Sequence, residues 1–331
     1  MERFKRPFFI SLIVCLAIYL AAIVFADWNA IASAMRLLSA ELWLWVLVLS
    51  LVNYVLRFGR WDIYIRHLQP IAKIPLWTHL KIYLSGFALT TTPGKSGELV
   101  RSVYLVNHGV AYKSSVSAFF VERLVDLFAV LFLALAGGMF YAQYQWITLV
   151  LGVCLFVLLL LLRMDGVRDQ LLNASLRSER LSIALNKIGE WLACSSGLLS
   201  NRLFLVGASL GVLAWGAEGL GLYLITQELQ LNVDPWMAVG IYSIAVLIGA
   251  LSFVPGGVGG TEAVMSLLLI NAGASAPEAI VATLVCRVAT LWFAVLVGVF
   301  AMVSLEYSPK PLDVFGAKGK TKDESFARRS S

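Results

Sequence analysis

Two short stretches decide the fold: Thr92-Pro93-Gly94-Lys95-Ser96-Gly97-Glu98 and Val254-Pro255-Gly256-Gly257-Val258-Gly259-Gly260-Thr261-Glu262. Each reads Pro-Gly, then further glycine, then a carboxylate opening a helix. Proline removes a backbone donor and glycine admits dihedrals that other residues avoid, so each stretch predicts a break in a helix. Each also follows a long apolar run, Leu76 to Thr92 and Met237 to Val254.

Around these breaks the chain reads as a membrane protein. Of its 331 residues 60% are hydrophobic and only 14% charged, and the mean hydropathy is +0.82. That excludes an ordinary water-soluble domain. A helix needs about 20 apolar residues to cross the hydrocarbon core. The runs Phe8 to Ala26, Leu42 to Leu56, Ser115 to Tyr141, Ile147 to Leu162, Leu203 to Thr226 and Ala279 to Leu305 are candidate spans. The first is preceded by Arg3, Lys5 and Arg6, but is too long for a typical signal-peptide core, which favours a retained span. Cys15, Cys154, Cys194 and Cys286 lack disulfide or zinc spacing, and His67, His79 and His108 are scattered, so neither a metal nor a cofactor is expected. The net charge of +6 sits in short loops beside apolar runs, which argues against nucleic acid and for a role in orientation.

The positive-inside rule places four segments in the cytoplasm: the N-terminus, the stretch with Arg57, Arg60, Arg66 and Lys73, the loop from Arg163 to Arg202, and the basic tail 309–331. The loops Tyr141 to Trp146 and Gln227 to Trp236 carry no basic residue and face outward. Counting crossings then forces Leu76 to Thr92 to enter and return on the cytoplasmic side, and Met237 to Gly273 to do so from outside. The expectation is an all-α polytopic membrane protein of about six full spans plus two re-entrant hairpins. Residues 1–308 form one transmembrane domain, with repeats of opposite orientation at about 42–141 and 203–305. Such inverted repeats place a binding site near the membrane midplane. The alternative, ordinary loops at both Pro-Gly breaks, leaves a basic loop on the wrong side.

An ionisable side chain at the bilayer centre costs roughly 2.5 to 3.5 kcal/mol on insertion scales. Glu122, Arg123 and Asp126 lie in one span, Glu218 in another and Arg287 in the last, with Lys95, Glu98, Arg101 and Glu262 on the hairpins. Glu122 and Asp126 share a helix face and repel, so a cation such as Arg123, Arg101 or Arg287 is expected beside them. Pairing that only pins helices together explains these charges as well as a ligand does. At the tips, open helix N-termini suit an anion. With Lys95, Arg101 and Arg287 near, they suggest a phosphate pocket. Gly94-Lys95-Ser96 is not a P-loop, because Leu89 stands where the first glycine belongs and no strand precedes it. No catalytic arrangement is identifiable.

The segment Pro93 to Tyr104, with Gly97, Glu98 and Arg101, and the segment Pro255 to Glu262 resemble the two signature stretches of the lysylphosphatidylglycerol synthase transmembrane region, a family also called flippase-like or UPF0104. The resemblance runs from about Leu42 to Leu305, and Glu122 to Asp126 and Arg287 fit its pattern of charged spans. It implies a bacterial inner-membrane protein related to the flippase half of two-part enzymes that make aminoacyl phosphatidylglycerol; this chain departs from them in having no aminoacyl-transferase domain, so it is not expected to be an enzyme. It also implies a protein that binds and moves an anionic phospholipid or a polyprenyl-phosphate lipid. The candidate headgroup site at the tips comprises Pro93, Gly94, Lys95, Ser96, Gly97, Glu98 and Arg101 on the first hairpin. Its other side is Pro255, Gly256, Gly257, Gly259, Gly260, Thr261 and Glu262 on the second, with Arg287. The alternative is a non-transporting accessory subunit of a glycosyltransferase or lipid-modifying enzyme.

Overall fold

The computed structural model describes residues 28–139, 145–163, 197–252 and 254–307. The expected span Phe8 to Ala26, most of the basic loop with Cys194, and the basic tail lie outside the described residues.

Among the described residues every regular element is a helix. In chain order they are α1 (Trp28–Arg36), α2 (Ala40–Leu68), α3 (Leu76–Ser85), two 3-10 turns (Gly86–Leu89 and Pro93–Leu99), α4 (Val100–Val106), α5 (Tyr112–Met139) and α6 (Gln145–Arg163). Then follow α7 (Asn201–Glu228), α8 (Pro235–Leu251), a 3-10 turn (Pro255–Gly257), α9 (Gly260–Asn271), α10 (Ala276–Arg287), a π-helical turn (Val288–Trp292) and α11 (Phe293–Glu306). The segments Ala40–Leu68, Asn201–Glu228 and Ala276–Glu306 are long and apolar enough to cross a bilayer, as a multi-pass membrane protein requires.

Local chemistry sets the helix ends. The Ser39 hydroxyl accepts from the Leu42 amide at the start of α2, with Glu41 in the first turn and Arg66 and His67 in the last, each suited to the helix dipole. Asp234 caps α8 by accepting from the amides of Trp236 and Met237. Ser275 and Glu278 form a capping box on α10.

Two boundaries differ from the sequence reading. The apolar run that ends at Leu56 is only part of α2, which continues to Leu68 and carries Arg57 and Arg60 within it, both buried. These two arginines are therefore not cytoplasmic loop charges, and the cytoplasmic assignment of this segment rests on Arg66 and Lys73. The first hairpin leaves α-helical geometry at Ser85, well before Pro93. The reason is packing, because Gly298 of α11 lies so close that a Cβ on it would collide with the Ala88 amide nitrogen and fall 2.6 Å from the Phe87 carbonyl carbon.

The packing is reciprocal. Helix α2 lies along α7, α5 lies along α8, and α11 lies along α3 and the turn after it. At the second contact a Cβ on Gly137 would sit 2.5 Å from Gly240 Cα, so the backbones touch as in small-residue membrane crossings. The two Pro-Gly tips also meet, with the Cβ position of Gly256 3.6 Å from Thr91 Cα.

Glycine at 298 is thus a packing requirement. Gly298→Leu should lower stability by about 1–3 kcal/mol or more, as overpacking does, read as a fall in melting temperature in detergent. Gly216→Ala, whose Cβ would meet nothing within 4 Å, should change stability by no more than about 1 kcal/mol.

Candidate functional site

The site is built around carboxylates that the fold cannot leave alone. On α5, Glu122 is fully buried and Asp126 nearly so, and a buried carboxylate is tolerated only with partners. Those partners come from four other elements, α2, α3, α4 and α7. Arg60 of α2 donates from Nη2 to Asp126 Oδ1 at 2.5 Å, and Trp215 of α7 donates its indole N–H to the same oxygen at 3.1 Å. Arg101 of α4 pairs with Glu122, which also accepts from the Tyr83 hydroxyl at 2.9 Å. Arg123 Nη2 lies 3.1 Å from Asp126, 3.3 Å from Glu122 and 3.7 Å from Glu98. Arg57 Nη2 stands farther off, 3.5 Å from Asp126 and 3.8 Å from Glu122.

The first tip is folded over this network. The Thr90 hydroxyl donates to Glu98 at 2.9 Å, and the Gly97 amide donates to the Thr92 hydroxyl at 2.7 Å. A Cβ on Gly97 would fall 2.6 Å from Leu89 Cβ, so this position admits only glycine. Lys95 has φ of 55°, a left-handed conformation that costs a residue with a side chain. The strain sets its ammonium over the Trp215 ring, 5.4 Å from the centroid.

The second tip is simpler. Gly256, Gly257 and Gly259 all have positive φ, which glycine alone adopts freely. Glu262 accepts from the Gly259 amide at 2.7 Å and from Arg287 Nε at 2.6 Å, while Arg287 Nη2 donates to the Gly256 carbonyl at 2.8 Å. The π-helical turn begins right after Arg287. Such turns recur at functional sites.

Between the tips lies a cavity of about 300 Å³. Arg57, Lys95, Arg123 and Arg287 line it, together with Trp215 and Glu218 and with the backbone of both tips. Arg57 contributes Nε and Nη2 atoms that are buried without a hydrogen-bond partner. A guanidinium so placed is able to receive two anionic oxygens.

Of the residues singled out by sequence, the structure gathers Lys95, Arg123, Asp126, Glu218, Gly256, Gly257, Thr261 and Arg287 at this cavity. Glu98, Glu122 and Gly97 stand behind it, and Ser96 is exposed. Arg101 is placed elsewhere. It is fully buried against Glu122 with its guanidinium 3.8 Å from the Trp61 ring centroid, out of reach of a headgroup. Arg287 pairs with Glu262 rather than with Glu122 or Asp126. The expected open helix N-termini are not found as pictured, because the first tip continues as a 3-10 turn and Glu262 caps the second. Sequence reasoning missed Arg57, Arg60, Trp215 and Tyr242. The signal for the arginines was available, since nothing from Ala40 to Leu68 contains proline and the two lie three apart on one face.

A family model described as lysylphosphatidylglycerol synthase TM region matches residues 11–298. A UPF0104 membrane protein of Methanothermobacter thermautotrophicus is 25% identical over 283 residues, covering 78% of this chain and 84% of its own length.

The network makes a stability prediction that separates a buried pair from a loose one. Arg60→Met leaves Asp126 short of its nearest cation and should cost about 3–5 kcal/mol. Adding Asp126→Asn, which keeps an acceptor for Trp215, should recover most of that loss. The measurement is thermal unfolding in detergent, and equal losses in the single and double variants would contradict the pairing.

Proposed function

This chain belongs to the lysylphosphatidylglycerol synthase transmembrane-region family, and we propose that it binds the phosphate of an anionic phospholipid or polyprenyl-phosphate lipid between its two tips and passes that lipid between leaflets. The observation that carries this reading is the convergence of Arg57, Lys95, Arg123 and Arg287, from four separate elements, on one cavity. These cations exceed the carboxylates that share the cavity wall, Asp126 and Glu218. In low dielectric such an excess attracts an anion strongly.

The movement follows from two re-entrant hairpins in an inverted repeat. Three features support that arrangement. The tips meet in the interior. Helix α5 of the first half packs on the second hairpin as α11 of the second half packs on the first. Each half also pairs the tip glutamate with an arginine of the next span, Glu98 with Arg123 and Glu262 with Arg287, both at a separation of 25 residues. Rocking of one half against the other exposes the cavity to each leaflet in turn. The basic N-terminal and C-terminal segments set both ends in the cytoplasm of a bacterial inner membrane.

The test is headgroup accessibility of a fluorescent phosphatidylglycerol in proteoliposomes, quenched from outside. The unaltered protein should speed exchange between leaflets well beyond protein-free vesicles. The charge-neutral pair Arg287→Gln with Glu262→Gln should retain thermal stability yet lose at least tenfold in rate. Exchange no faster than in empty vesicles would make the chain an anchoring subunit, and full rate in the double variant would move the path away from this cavity.

A further inference from the structure

Glu218 stands apart from every other carboxylate around the cavity. It is buried on α7, lines the cavity wall, and accepts a hydrogen bond from the Tyr242 hydroxyl of α8. Glu98, Glu122, Asp126 and Glu262 each lie within ion-pair distance of an arginine, whereas among the described residues no cation lies that close to Glu218. The groups that face it are Tyr54 and Arg57 of α2, Lys95 of the first tip, Tyr242 of α8, and Cys286 and Arg287 of α10. None of these closes an ion pair on the carboxylate.

A carboxylate with that surrounding has two accessible states. Ionised, it leaves the cluster of six cations (Arg57, Arg60, Lys95, Arg101, Arg123, Arg287) and five carboxylates with one net positive charge. Protonated, it leaves two. An anion entering the same cavity repels an ionised Glu218 through a medium of low dielectric, so the second state accepts it more readily. By linkage, an anion that binds the protonated form better must also carry a proton in with it. Charge balance agrees, since a phosphate monoanion and a proton together leave the net charge of the cavity unchanged.

We infer that Glu218 is a proton-binding site coupled to headgroup binding, so that the protein takes up a proton with each anionic lipid and releases it when the lipid leaves. This rests on the lipid-binding reading above and adds the energy source to it. A proton gradient then drives lipid movement without a nucleotide. Tyr242 serves as a positioning residue, since its hydroxyl fixes the carboxyl toward the cavity.

The probe is phosphatidylglycerol, a phosphodiester that stays a monoanion, with phosphatidylcholine as the zwitterionic control of zero net charge, added to the full-length protein in detergent at about pH 5 to 9. Binding should weaken about tenfold per pH unit above the titration of Glu218, as one coupled proton requires. Glu218→Gln should bind phosphatidylglycerol with no such slope. Without any variant, binding in weakly buffered solution should take up about one proton per lipid, read with a pH-indicator dye. Lipid binding with no proton uptake overturns the proton site and leaves the lipid site standing. A slope that survives in Glu218→Gln assigns the proton to another group, with Lys95 the remaining amine, and also overturns it. Failure of phosphatidylglycerol to bind better than phosphatidylcholine overturns the lipid-binding reading, and this inference with it.

Discussion

Burial of Glu122 and Asp126 on α5 is the constraint from which the rest of the structure follows. Two carboxylates on one helix face repel each other, and neither is able to stay charged in the membrane interior without cations. Helix α2 supplies Arg57 and Arg60, α4 supplies Arg101, and α5 itself supplies Arg123. The first hairpin, α2 and α5 are thereby tied into one body, since removing any of these elements leaves an unpaired buried charge. The aromatic walls serve the same end. Trp61, Tyr83 and Phe119 surround the Arg101 guanidinium, giving it cation–π partners where water is excluded. With the carboxylates held by Arg60 and Arg101, Arg57 on the cavity wall keeps Nε and Nη2 without a hydrogen-bond partner.

The two halves use one device with different strictness. In the second half Arg287 is committed, holding Glu262 with one nitrogen and the Gly256 carbonyl with another, so that the tip is fastened from both ends. In the first half the equivalent Arg123 is shared among Glu98, Glu122 and Asp126, and its contact with the tip glutamate is the longest of the three at 3.7 Å. The first tip glutamate is therefore held at a longer distance by its arginine than the second.

Much of this was legible from residues alone, and the part that was not has definite causes. The Pro-Gly tips and the acids of α5 announced themselves, because proline, glycine and charge are conspicuous in apolar sequence. Arg57 and Arg60 did not, because a basic residue just after an apolar run is usually a cytoplasmic anchor, and only the uninterrupted length of α2 draws them inside. Of the three cations expected beside Glu122 and Asp126, Arg101 and Arg123 stand there and Arg287 does not. Charge counting says that Glu122 and Asp126 need cations but not which, and proximity in the fold decided for Arg60 and Arg101. The early end of α3 was illegible because its cause, the approach of Gly298 to the backbone at Ala88, lies some two hundred residues away. The equal Glu-to-Arg spacing in the two halves was present in the sequence throughout, but only the ion pairs give it meaning.

The central claim is that the phosphate of a lipid sits between the two tips, and locating that phosphate tests it most directly. An experimental structure of the protein with phosphatidylglycerol should place the phosphate among Arg57, Lys95, Arg123 and Arg287, between Thr92 and Gly256. Density for the phosphate at the membrane surface, with the cavity holding only water or an acyl chain, would contradict the account.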